Sequence, residues 1–137
     1  MGKINVEIAL ANNRDVQMFE GGSLAAEKVR RAWIRGLVDT GASHLVLPAN
    51  VVKQLGLPEI RTSTVRYADQ RKKCRRIVDQ VQVELLGRRG TFKAVVEPER
   101  TDALLGAIVL EDLDLVPDCR TQTLQPRDPK QILVEIG

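Results

Sequence analysis

A chain of 137 residues, 43% apolar and 28% charged, supplies one hydrophobic core and is too apolar to stay disordered. Its 3% of aromatic residues argues against a stacking platform for single-stranded nucleic acid, and a net charge of +3 is a weak attraction for any polyanion. Two cysteines and one histidine exclude a disulfide scaffold and a histidine-rich metal centre, and neither metal nor cofactor is expected.

Ile4, Val6, Ile8 and Leu10 alternate with mostly polar residues, the period of a half-buried strand. Lys3, Asn5 and Glu7 interrupt any secretory apolar region, and Val6 stands where a myristoylation signal has Ser or Thr. No apolar run is long enough to span a bilayer, so the expectation is a soluble, reduced, cytoplasmic protein without a membrane partner. Asn12-Asn13 mark a turn, and Gly21-Gly22-Ser23 is the strongest break in the N-terminal third. Ser23 offers a cap for a short helix through Ala25-Ala26-Glu27, after which Val29 to Val38 reads as a strand. Leu45-Val46-Leu47 is a short apolar run, and Pro48 opens a helix through Val51, Val52 and Leu55 that Gly56 closes.

The segment 62–86 reads as a β-hairpin with a charged tip, since strand-like Thr62 to Tyr67 and alternating Ile77 to Leu86 flank a polar stretch. A strand from Thr91 to Val96 follows the Gly87–Gly90 turn and ends at Pro98. Leu104-Leu105-Gly106 leads into a short helix with Ile108, Leu110 and Leu113, and Asp118 to Leu124 is weakly strand-like. Pro126 and Pro129 break the chain before Ile132 to Ile136 alternates once more. Many short strands with two short helices and no repeat indicate one mostly-β, barrel-like domain over 1–137.

Leu37-Val38-Asp39-Thr40-Gly41-Ala42-Ser43 is the segment that carries chemistry. A carboxylate directly after two apolar residues sits at the end of a core strand, on a tight turn that Gly41 keeps open and Thr40 can brace. Asp-Thr-Gly is also an ordinary turn composition. The later Leu104-Leu105-Gly106, placed after a strand and before a helix, supplies a second, independent piece. Together with Leu45-Val46-Leu47-Pro48, the Leu55-Gly56-Leu57 helix end, the hairpin and Leu113-Asp114-Leu115, the chain from about 29 to 126 resembles the retropepsin-like aspartic proteases. Tyr67-Ala68-Asp69 before the hairpin turn is similar to the small stand-alone prokaryotic members.

The resemblance implies a closed β-barrel of the acid-protease half type, with a flap hairpin and one or two short helices. It implies an endopeptidase acting on a peptide or protein, with Asp39, Thr40 and Gly41 catalytic and Ala42, Tyr67, Ala68 and Asp69 against the substrate. Aspartic proteolysis needs two carboxyls around one water, and the chain has a single Asp-Thr-Gly, so the expected unit is a homodimer with two Asp39 residues at its two-fold axis.

The pattern is broken between Tyr67 and Arg76, where no glycine occurs and prokaryotic members have one after Ala-Asp. That departure supports an alternative, a catalytically silent dimeric peptide- or protein-binding module with the same fold. Five basic residues surround Cys74 in Arg71–Arg76 and read as a solvated hairpin tip, with a nucleic-acid accessory role for them and Arg88-Arg89 as a weaker third option. Cys74 reads as an exposed thiol, Cys119 as a small buried residue, His44 as a surface or packing residue, and Ser43 as a brace of the turn. Trp33 reads as core or interface packing, and the resemblance implies that the strand 132–136 pairs across the dimer.

Overall fold

The N-terminal alternation becomes β1 (Ile4–Asn12) of a computed structural model that describes residues 3–137. Asn12 then caps α1 (Asn13–Glu20), its side chain accepting from the Asp15 N–H, and Gly21 ends the helix. A 3-10 turn (Ala26–Lys28) leads to β2 (Arg31–Val38), β3 (Leu45–Pro48), α2 (Ala49–Leu55), β4 (Glu59–Arg66) and β5 (Lys72–Leu85). The remainder is β6 (Arg88–Glu97), β7 (Ala103–Leu105), α3 (Ala107–Asp112), β8 (Leu115–Asp118) and β9 (Thr123–Pro126).

Six strands close into a barrel in the order β1-β2-β7-β3-β6-β5, with β5 returning to β1 through Ala9↔Glu84 to Asn12↔Val81. Closure leaves those strands no free edge. β4 extends beyond the ring as a partner of β5 alone, and its exposed edge carries Glu59, Arg61 and Arg66. β5 serves both regions because it bends at a bulge, where Gln80 has a φ of 65° and the Asp79 N–H donates to the Pro58 carbonyl at 3.0 Å. Ile8, Leu10, Leu47, Val83, Val96 and Leu105 are each almost completely buried inside the ring. Burying one such side chain stabilises the fold by about 1.5–3 kcal/mol.

The mostly-β closed barrel with a protruding hairpin matches the fold class read from the sequence. Several local expectations differ. Asn12 is a buried cap rather than a simple turn residue, because its amide donates to the Leu55 carbonyl at 2.9 Å and ties α1 to the end of α2. Ser23 caps nothing; its hydroxyl donates back to Met18, and the 3-10 turn starts after Ala25. The hairpin tip is only the turn 67–71, and Lys72 to Arg76 lie in β5 paired with Thr62 to Arg66. Asp118 to Leu124 holds the turn between β8 and β9, and Cys119 there is exposed.

No strand forms over 132–136. The Leu133 N–H donates to the Asp114 carboxylate at 3.0 Å instead of to a ladder, and Arg88 binds the carbonyls of Asp128 and Gln131. Val134 and Ile136 are left 79% and 96% exposed. Trp33 is 75% exposed on the outer face of β2 beside Arg31 and Arg35, which removes the core-packing option for it.

Candidate active site

β2 and β3 do not pair with each other. β7 runs between them, parallel to β2 (Gly36↔Ala103 to Val38↔Leu105) and antiparallel to β3 (Leu45↔Leu105, Val46↔Leu104). The loop 39–44 must therefore arch over the end of β7, and the chain leaving β7 must pass beneath it. Gly106 makes that passage possible. A Cβ there would lie 2.5 Å from the His44 carbonyl oxygen and 2.6 Å from the Ser43 carbonyl carbon, both backbone atoms that no side-chain rotation removes. The Gly106 φ of −85° is open to any residue, so what selects glycine is space.

Five backbone and side-chain bonds hold this crossing. The Asp39 N–H donates to the Leu105 carbonyl at 3.0 Å, and the Ala42 N–H to the Asp39 carbonyl at 3.2 Å. From the start of α3, the Ala107 and Ile108 N–H groups donate to the carbonyls of Ala42 and Ser43 at 2.8 and 2.9 Å. The Gly41 N–H donates to Asp39 Oδ1 at 2.9 Å. That last bond commits one carboxylate oxygen to the loop and sets its rotamer, while Oδ2 has no hydrogen bond among the described residues. Asp39, Thr40 and Gly41 are exposed and Ala42 is half-buried, so the carboxylate is presented outward from a loop anchored in the core. The Thr40 hydroxyl also lacks a partner among the described residues. Ser43 Oγ and His44 Nδ1 are 2.7 Å apart at the exposed end of the loop.

Tyr67, Ala68 and Asp69 lie in the turn joining β4 to β5 and, among the described residues, share no hydrogen bond with this loop. The turn is closed by Tyr67 N–H to the Arg71 carbonyl and Gln70 N–H to the Tyr67 carbonyl, both 2.9 Å. Gln70 takes a φ of 71°, the left-handed position that favours glycine. Asp69 accepts from the Arg71 backbone N–H at 3.1 Å and from Arg71 Nε at 2.6 Å, which together hold its carboxyl below the usual range. The Arg71 guanidinium lies 5.5 Å from the centre of the Tyr67 ring. The Tyr67 hydroxyl donates to Glu97 at 2.6 Å and accepts from Arg75 Nε, which also pairs with Glu97. Burial, reinforced by Glu97, pushes the Tyr67 phenol up from its ordinary value.

Sequence reasoning located the Asp39 loop and the hairpin but missed Glu97 and Arg75. Their relation depends on β5 and β6 lying side by side, with Glu97 at the end of β6 turned toward the hairpin, and no local signal marks it. Among the described residues no group of His, Cys, Asp and Glu could hold a metal ion, and no helix is long and apolar enough to cross a membrane.

The family model described as gag-polyprotein putative aspartyl protease matches residues 28–112. The match runs from the end of the 3-10 turn to the end of α3, and so includes the Asp39 loop, the hairpin and Gly106. No curated protein matches the chain.

Proposed function

The chain belongs to the gag-polyprotein aspartyl protease family, and from that premise we propose that it is an aspartic endopeptidase in which Asp39 is the catalytic residue of each subunit of a homodimer. The observation that carries the reading is the outward Asp39 carboxylate on a loop pinned to β7 and α3. Two carboxyls brought to about 3 Å share one proton. The ionised Asp39 takes a proton from a water held between the pair, and the protonated Asp39 donates to the scissile carbonyl oxygen as the water oxygen bonds to the carbon. The tetrahedral intermediate then collapses: the proton taken from water passes to the departing nitrogen as the C–N bond breaks, and one hydroxyl proton of the intermediate returns to the second Asp39 as the C=O bond re-forms, which restores the singly protonated pair.

Thr40, whose hydroxyl lacks a partner among the described residues, reaches across the two-fold axis to the partner loop. Gly41 and Ala42 leave room for the water and the substrate backbone. Tyr67, Ala68 and Asp69 place the hairpin over an extended peptide. Exposed Val134 and Ile136 are apolar side chains for dimerisation to cover, as is Trp33 on the outer face of β2, and the terminal segment alternates like a strand without a ladder.

Cleavage of unstructured peptides by the purified protein, compared with Asp39→Asn, tests this reading. Loss of a proton-transfer group should lower turnover by at least about a hundredfold. Equal cleavage by the two proteins removes Asp39 from the mechanism, and specific activity independent of protein concentration removes the two-copy dyad. A second reading, a silent peptide-binding module, is favoured by the glycine-free turn at Gln70 and the Tyr67–Glu97–Arg75 anchor, which restrain the hairpin. It predicts peptide binding without turnover, unchanged by Asp39→Asn.

A further inference from the structure

The hairpin and the end of β6 flank an open, solvent-facing cavity of about 430 Å³, lined by Tyr67, Arg71, Lys73 and Arg75 on one side and by residues 97–100 on the other. We propose that this cavity is a subsite for an acidic side chain of the substrate, with Lys73 and Arg100 as the residues that select it. The inference rests on the protease reading and adds a substrate class to it.

Charge in the cavity is unbalanced. Arg75 is neutralised by Glu97 within the wall, and Arg71 by Asp69 in the turn. Among the described residues no carboxylate forms an ion pair with Lys73 or Arg100. Arg100 donates from Nε only to the Asp102 carbonyl, at 2.8 Å, which fixes the side chain without neutralising it. Glu99 is the single unpaired carboxylate against these two cations. Strand alternation puts Lys73 and Arg75 on the cavity face and Lys72, Cys74 and Arg76 on the opposite one, so part of the basic run is aimed at one place.

The location relates the cavity to the cleavage point. Residues 98–102 enter β7, and β7 ends where the Leu105 carbonyl holds the Asp39 N–H. Its three residues separate the turn from the catalytic loop by roughly 10 Å, the span of about three extended peptide residues. An acidic side chain two to four positions from the scissile bond would reach the cavity. A nucleic acid fits less well. The one aromatic ring of the cavity is already occupied by Arg71 on its face and Glu97 at its hydroxyl, so it offers no face on which a base could stack.

The test measures binding and cleavage separately. Fluorescence anisotropy of the full-length Asp39→Asn variant is read with labelled decapeptides carrying Glu, Gln or Lys two to four residues from the centre, at low and high salt. Parallel cleavage of the same peptides uses the Asp39 protein. The Glu peptide should bind about three- to tenfold tighter than the Gln peptide, less so at high salt. Lys73→Gln should erase much of the preference, and Lys73→Glu with Arg100→Glu should reverse it toward Lys. Lys72→Glu, the same charge change on the opposite face, should keep it. Equal affinity for the three peptides, or a preference that Lys72→Glu removes as fully as Lys73→Glu, overturns the proposal. So does displacement of the Glu peptide by an oligothymidylate at lower concentration than by unlabelled peptide. Cleavage without charge preference overturns the acidic subsite and leaves the protease, whereas Lys73-dependent binding without cleavage supports the subsite and removes the endopeptidase.

Discussion

Gly106→Ala isolates the crossing of β7 beneath the Asp39 loop. The backbone at Gly106 has a φ of −85° and a ψ of −179°, a conformation alanine adopts without strain, so only the added methyl matters. That methyl would sit 2.5 Å from the His44 oxygen, 2.6 Å from the Ser43 carbonyl carbon and 2.7 Å from the His44 nitrogen. Backbone atoms must move, and with them the carbonyls of Ala42 and Ser43 that accept from Ala107 and Ile108. Overpacking of this kind costs about 1–3 kcal/mol, and weakening two hydrogen bonds adds about 1 kcal/mol or more. A loss of about 2–4 kcal/mol in urea unfolding follows, with hydrogen exchange showing reduced protection at Ala107 and Ile108 in particular. Gly41→Ala is the control, since its methyl meets only Asp39 Oδ1, at 3.3 Å. It should cost under about 1 kcal/mol while displacing the carboxylate. A Gly106→Ala protein within about 0.5 kcal/mol of the parent and with unchanged protection at both amides would refute the steric account of this glycine.

Gln70→Gly should be at least as stable as the parent in thermal denaturation, and Gln70→Val about 1 kcal/mol less stable, because a β-branched residue tolerates the left-handed position poorly. The Asp15 carboxyl is held below its ordinary range chiefly by side-chain hydrogen bonds from Arg30, against an opposing push from burial. A depressed carboxyl contributes stability above its unfolded value and loses it as pH falls through the folded one, so unfolding curves should show a loss below roughly pH 4 that Asp15→Asn flattens. Arg88→Ala removes donors to the carbonyls of Leu113, Asp114, Asp128 and Gln131. Limited proteolysis should then cut after residue 127 much faster, with the barrel core still protected from exchange.

The hairpin and the terminal segment mark where sequence reading reached its limit. Alternation in β1 and β5, the helix signals Pro48 and Gly56, and the Leu-Gly before α3 act within a few residues, so they were legible directly. Helix α1 carried the same kind of signal, Asn12 before it, Asp15 in its first turn and Gly21 after it, but Val16 is its only buried apolar residue and its periodicity is weak. Residues 132–136 have the alternation of a strand, yet a strand exists only where a neighbour supplies a ladder, and in the isolated chain Asp114 and Arg88 take that backbone instead. Cys119 follows an apolar stretch but falls in the β8–β9 turn, where it is exposed.

The mostly-β character and the position of the acidic loop were legible in the sequence because each depends on a local pattern, and the count of one Asp-Thr-Gly raised the expectation of a second copy. Which contacts surround that loop depends on how distant segments pack. The fit of Gly106 under Ser43 and His44, the Glu97 anchor of Tyr67 and the joining of Lys73 with Arg100 in one cavity arise between segments far apart in the chain. Such contacts are set by strand order and register, which no local run of residues encodes.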